Sequence, residues 1–196
     1  TTQVYVYFLS TNTTNTGDTF YVYGFQLETG LGASSYIPTA ASTVSRSADD
    51  CSISDVTTFG FNQLAGTILV SYGPRINTGS MRSFTFLPSS GANNQIFESS
   101  GTALNLYSSG AFTAQIGATN ANAAKIAAAW TAGDAGVSVN GGNTVTATPV
   151  SIPSSITRLT IGGSLVNSAA YNAGCIKLFK YWPSRLSNTT LQTLST

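Results

Sequence analysis

Carboxylates are the first residues to weigh, because a pair of them flanking a glycosidic bond is the usual apparatus for cutting it. The chain holds Glu28 and Glu98, with Asp18, Asp49, Asp50, Asp55 and Asp134. No two of these alternate along a strand-like run, and Asp49 and Asp50 are neighbours, so on a strand they point to opposite faces. There is no histidine, which removes Ser-His-Asp and Cys-His schemes. The residues therefore argue for a chain that is not an enzyme.

Metal chemistry is equally thin. Two cysteines, Cys51 and Cys175, with no histidine cannot build a four-ligand zinc site. A calcium ion would have to draw on Asp49, Asp50, Asp55 or Asp134 with neighbouring carbonyls. As a turn residue after Gly133 and as strand starts, these acids are also explained without one, and no cofactor is expected. The cysteines read either as two separate buried thiols or as a disulfide.

Binding is the chemistry that remains. A sugar ring presents a CH face and several hydroxyls, so its site needs an aromatic platform beside hydrogen-bonding groups. Residues near turn signals that could supply these are Tyr72 and Arg75 in SYGPRINTG, Tyr107 before Ser108-Ser109-Gly110, Trp130 before Gly133, and Tyr171 with Asn172. Each has a packing alternative, above all Trp130, since aromatic residues suit half-buried strands.

Composition narrows the partners. Only 8% of the 196 residues are charged and the formal net charge is +1, against a typical charged share of about a quarter. The Lys and Arg residues are scattered, so the basic stripe that nucleic acid requires is missing. No apolar run approaches the ~20 residues of a membrane helix, so membrane insertion is not expected. The opening Thr1-Thr2-Gln3-Val4 lacks a signal-peptide layout and reads as a fragment or processed product.

The elements that must position these residues are strands. Val4–Leu9 alternates, a polar loop spans Ser10–Thr19, and Phe20–Glu28 follows as a second strand. Two strands cannot bury a core alone. The run stops at Thr29-Gly30-Leu31-Gly32, and Pro38 in Tyr36-Ile37-Pro38-Thr39 bars a central strand. A Ser/Thr/Ala tract, residues 40–47, then acts as a linker.

From Cys51 onward strand-like runs recur at sandwich spacing: 51–54, 66–72, 82–87, 95–99, 103–108, 112–116, 125–131, 136–140, 144–147, 157–161 and 174–182. Turn residues separate them, Asn140-Gly141 giving the strongest hairpin signal. Lys125–Thr131 is alanine-rich yet feeds through Gly133-Asp134 into a hairpin partner, so it reads as a strand. The last ten residues read as a short helix, with Ser187 as cap and Leu191 and Leu194 on one face.

The words QLE, SYIPT and RSAD, in that order within residues 24–50, resemble a junction in tail-fibre, spike and other appendage proteins of tailed bacteriophages. There it joins a carbohydrate-binding-module-like β-sandwich to a concanavalin A-like, laminin-G-like domain. AKIAAAWTAGDAGVSVNGG is similar to the hairpin ending in VNG of such domains, and ITRLTIGGSLVNSAAYNAGCIKLFKYWPSRLSNTTLQTLS to their closing block. Residues 55–124 carry little of this pattern beyond FNQLAGTILV.

The resemblance implies an all-β fold: a concanavalin A-like jelly-roll β-sandwich with a short C-terminal helix, preceded by two strands of an upstream β-domain. Residues 1–39 would be the closing strands of the preceding domain, 40–47 the linker and 48–196 the lectin domain. It also implies that the first and last strands of that domain lie side by side, which would bring Cys51 and Cys175 within bridging range. A sandwich glucanase would carry its acids as E-x-D-x-x-E on one strand, a pattern this chain lacks. The implied function is a non-enzymatic virion domain that binds bacterial surface polysaccharide as a homo-oligomer, a trimer by preference, in contact with other virion proteins. It would reside on the phage particle surface and act at the bacterial cell surface. The alternative is a structural decoration or connector of the virion with no glycan ligand.

Overall fold

A short turn of 3₁₀ helix, eleven strands and one α-helix are found among the residues that the computed structural model describes. These are 21, 23–28, 35–45, 51–75, 82–89, 91, 93–99, 103–117, 125–148, 151–163 and 174–196. The chain divides into two compact units, Thr1–Arg46 and Ser47–Thr196.

In the first unit the strand expected over Phe20–Glu28 is not formed at its described residues. Gly24 stands at φ 76°, which breaks an extended run. The Gln26 side chain instead serves the local loop: its Oε1 accepts from Ile37 N at 2.7 Å, and its Nε2 donates to Glu28 Oε2 at 3.0 Å. The rings of Tyr23 and Tyr36 stand 5.8 Å apart. The expected strand over Val4–Leu9 lies outside the described residues.

In the second unit each of the eleven runs anticipated from Cys51 onward forms a strand. They are β1 (Cys51–Ile53), β2 (Ala65–Arg75), β3 (Phe84–Leu87), β4 (Gln95–Ser99), β5 (Ala103–Ser108), β6 (Ala111–Gly117), β7 (Lys125–Thr131), β8 (Asp134–Val139), β9 (Val145–Ala147), β10 (Arg158–Ile161) and β11 (Gly174–Trp182). Helix α1 (Asn188–Leu194) closes the chain. Two antiparallel sheets result, ordered β1-β10-β3-β4-β5-β6 and β11-β2-β7-β8-β9. A 3₁₀ turn over Val56–Phe59, capped by Asp55 and ended by Gly60 at φ 72°, was not anticipated.

The alternation of each strand fixes which residues meet between the sheets. Ile68, Val70 and Tyr72 of β2, Ile126, Ala128 and Trp130 of β7, and Val137 of β8 face Phe84, Phe86, Ile96, Leu104, Leu106 and Leu159 from the other sheet. Trp130 lies across Gly66 on β2, its register partner. A Cβ at Gly66 would stand 2.4 Å from the indole Cζ2.

Part of the outer face of the second sheet is covered by α1. Leu191 packs on Leu69, Ala127 and Ala129, and the two alanines leave the space the helix needs. Ser187 Oγ caps α1 by accepting from Thr190 N at 3.1 Å. Ahead of the helix, Thr67 Oγ1 donates to Ser184 O at 2.7 Å and accepts from Leu186 N at 2.9 Å. Arg185 forms an ion pair with Asp134 at 2.9 Å.

Strand β11 pairs with β2, and β1 pairs with β10, so the first and last strands of this unit do not lie side by side in one sheet. Neither reading of the cysteines holds in full: Cys51 and Cys175 are free, so no disulfide joins them, and both are exposed instead of buried. Tyr72 and its register partner Ile176 pack into the core, while Cys175 stands on the opposite face beside Gly73. Cys51 shares a face with Ile53, which turns inward, so the two thiols point in different directions. Between β1, β10 and β11 the sandwich edge opens into an apolar cleft of about 260 Å³ that includes Ile53, Phe59, Ile161, Phe179 and Tyr181.

Candidate functional site

On the outer face of the six-stranded sheet Thr85, Asn105 and Thr160 are buried, so it is one end of that face that presents side chains to solvent. This row begins at the hairpin between β5 and β6. Ser109 and Gly110 take φ of 54° and 85°, the pair of positive values that a tight two-residue turn demands. That turn sets Tyr107 opposite Phe112, with a bulge after Leu106 absorbing one residue of β6. The inward neighbours Leu104, Leu106, Ala114 and Ile116 are buried in the core and hold the hairpin in register.

The two rings meet edge to face, their centroids 5.1 Å apart at 74°. Phe112 is 57% exposed, so one face of its ring is open to a ligand. The Tyr107 hydroxyl donates to Gly110 O at 2.6 Å. Asn94 Oδ1 accepts from Ser109 N at 3.2 Å and from Ser108 Oγ at 3.4 Å, tying the hairpin tip to the segment that precedes β4.

Across β4 the row continues. Gln95 is the register partner of Tyr107, is only 4% exposed, and accepts from Arg82 Nη1 at 2.7 Å. Partial burial holds the Arg82 guanidinium below the ordinary arginine range, because a charge taken from water is less stable until a partner restores the lost solvation. Guanidinium, amide, phenol and phenyl ring therefore follow one another across three strands. Of these, the exposed Phe112 ring with Tyr107 beside it can stack on the CH face of a sugar, whereas Gln95, like Tyr72, is buried.

The residues singled out by spacing fall in different places. Tyr107 lies in the row. Tyr72, 3% exposed, and Trp130, fully buried, are core residues and offer no face to a ligand; both stand on the inward side of β2 and β7, which the sheet pairing selects. Arg75 ends β2 opposite Gly174, and its side chain lies outside the described residues, as do Tyr171 and Asn172. Phe112, Arg82 and Gln95 were not anticipated. The signal for Phe112 was present: Tyr107 and Phe112 flank Ser109-Gly110 symmetrically enough to face one another.

Acid chemistry finds no assembly among the described residues. Asp134 is engaged by Arg185, and Asp55 accepts from Thr57 N and Oγ1 at 2.9 and 2.7 Å. Among the described residues no three of His, Cys, Asp or Glu gather where they could hold a metal ion.

No protein-family model matches the chain, and neither does any curated protein. Solved structures do. The CBM40 carbohydrate-binding module of the Ruminococcus gnavus IT-sialidase, bound to α2,3-sialyllactose, superposes with a TM-score of 0.53 at 14% identity, covering 76% of this chain and 97% of that one. A heptameric SAP-like pentraxin of Limulus polyphemus gives 0.53 at 15% identity, over 70% of this chain and 73% of that one. Domains LG4-5 of the mouse laminin α1 chain give 0.50 at 14% identity, over 72% and 41%. The chain thus has the jelly-roll sandwich of carbohydrate-binding, pentraxin and laminin-G-like domains, two antiparallel sheets with one short C-terminal helix.

Proposed function

We propose that this chain is a non-catalytic, glycan-binding module of a tailed-phage appendage, holding the particle on bacterial surface polysaccharide. The observation that carries the reading is the exposed Phe112 ring set edge-on to Tyr107, with Asn94 and Ser108 beside it. The same sandwich serves as a carbohydrate-binding module in the sialidase neighbour. The phage assignment rests on the ordered words QLE, SYIPT and RSAD and on the closing block from Ile156 to Ser195. The spacing of the carboxylates supports binding without hydrolysis.

A single shallow aromatic site binds weakly. Presentation as a homo-oligomer, a trimer by preference, would turn weak single contacts into firm attachment.

The test is adsorption of the labelled chain to host bacteria, competed with their extracted surface polysaccharide. Saturable binding is expected, abolished by the polysaccharide. Phe112→Ala should weaken it about tenfold, the factor that 1.4 kcal/mol represents, while leaving the melting temperature close to that of the parent. A folded sample that does not adsorb would overturn the reading and leave a structural connector of the virion in its place.

A further inference from the structure

We infer that the glycan taken by this face is uncharged and lies lengthwise along β6, one sugar on the Phe112 ring and adjoining hydroxyls on the Gln115 amide. This deepens the proposed function and rests on it.

Position comes first. Alternation along β6 turns Ala114 and Ile116 into the core and leaves Gln115 on the outer side, exposed. The bulge after Leu106 brings Phe112 onto that same side, opposite Tyr107. Gln115 pairs with Asn105, two residues before Tyr107 on β5, so its backbone lies about 7 Å along the strand from the ring pair. Further along the same side Gly117 has no side chain, and a Cβ there would meet only the Ala103 Cβ, at 3.8 Å. Ring, amide and bare backbone follow one another along one strand.

The chemistry of that track is neutral. An amide offers an acceptor and two donors, so it can hold two neighbouring hydroxyls, one giving and one receiving a hydrogen bond. Other amides of this unit are spent within the protein. Gln63 accepts from Ile156 N and donates to Pro153 O, Asn94 accepts from Ser109 N, and Asn140 accepts from Lys125 N. The Gln115 amide is committed to no such bond among the described residues. Residues Ala103–Gly117 include no Asp, Glu, Lys or Arg, and neither do residues 151–157, where Ser151 O accepts from Thr113 Oγ1 at 2.7 Å. Arg82 is engaged by Gln95 and by further groups of the protein. The formal charge of +1 on the whole chain sets up no wide field. An acidic sugar would find no opposite charge along this track, whereas hydroxyls find an amide.

The experiment separates the extracted surface polysaccharide by anion exchange into uncharged and acidic fractions and titrates each calorimetrically into the intact chain. The uncharged fraction should bind more tightly, with an affinity that changes less than about twofold between about 0.05 and 0.5 M salt. Gln115→Ala should weaken it about fivefold, the effect of one or two neutral hydrogen bonds. Gln115→Leu, which keeps the bulk and loses the amide, should weaken it as much, and both variants should melt with the parent. Equal or tighter binding of the acidic fraction, dependent on Phe112, would refute the uncharged ligand and leave the glycan-binding reading standing. If the uncharged fraction binds through Phe112 while both Gln115 variants match the parent, the track along β6 is refuted and glycan binding again stands. If neither fraction binds the folded chain, both readings fall. Should one Gln115 variant fail to fold, the other decides, and the comparison of fractions on the parent chain needs neither.

Discussion

Gly66→Ala should destabilise this sandwich, although it replaces a glycine within a strand by a residue with less backbone freedom to lose. The added Cβ would stand 2.4 Å from Trp130 Cζ2 and 2.9 Å from Cε2 and Cη2. Carbon atoms rest at about 3.5–4.0 Å, so the indole must retreat by about 1 Å. It has little room to do so: Trp130 is fully buried, with Phe86 and Tyr181 rings centred 6.0 and 6.4 Å away. Overpacking of this kind costs about 1–3 kcal/mol, while the stiffer unfolded chain returns about 0.4–1 kcal/mol. The net loss is about 1–2 kcal/mol, or a melting temperature lower by about 2–8 °C for a domain of this size. Urea unfolding followed by far-UV circular dichroism measures it, with the mutation repeated in a Trp130→Phe background. The smaller ring should relieve the clash, giving a coupling above about 0.5 kcal/mol. A Gly66→Ala chain as stable as the parent, or an equal loss in both backgrounds, would refute the reasoning.

Two further outcomes follow from the polar contacts. Thr67→Val removes the hydroxyl that joins Ser184 O and Leu186 N; it should cost about 1–3 kcal/mol and speed hydrogen exchange at the Leu186 amide, whereas Thr67→Ser should restore both. An unchanged Leu186 exchange rate would mean the bond carries nothing. Burial raises the Tyr181 phenol above the usual tyrosine range, opposed in part by the N–H that Asn62 donates to it. The folded state therefore keeps this proton when the unfolded chain has lost it. The associated stability is present below about pH 10 and is lost as pH rises through the folded value. Tyr181→Phe should flatten the alkaline limb of a stability–pH curve, and identical limbs would contradict the assignment.

The strands were legible because their boundaries are chemical. Gly133-Asp134, Asn140-Gly141 and Ser109-Gly110 reverse the chain wherever they occur, and Ser187 marks the helix start by its own hydroxyl. Even the alanine run of β7 made sense once its hairpin partner was seen, and Ala127 and Ala129 prove to be the floor on which α1 rests. Which face of a strand turns inward is a different kind of information. Tyr72 and Trp130 sit near turns and could have been surface platforms; pairing of β2 with β7 and β11, long-range in sequence, makes them core. The same non-local choice separates Cys51 from Cys175. Of the candidate site, Tyr107 was visible from its loop, and Phe112 could have been found by folding the hairpin on paper. Arg82 and Gln95 meet across thirteen residues through side chains, which no local pattern encodes.

The place of β2 between β11 and β7 also governs how the domain is made. Its partner β11 runs antiparallel to it from Gly174↔Arg75 to Trp182↔Thr67, so β11 is translated roughly a hundred residues after β2. At about 5–20 residues per second, one flank of β2 waits about 5–20 s for its native neighbour. During that interval Ile68 and Val70 lie on a strand whose edge is open to any other nascent chain. Newly made copies are thus most vulnerable while still attached to the ribosome. A chaperone that shields β2 during that interval decides how many reach the folded state.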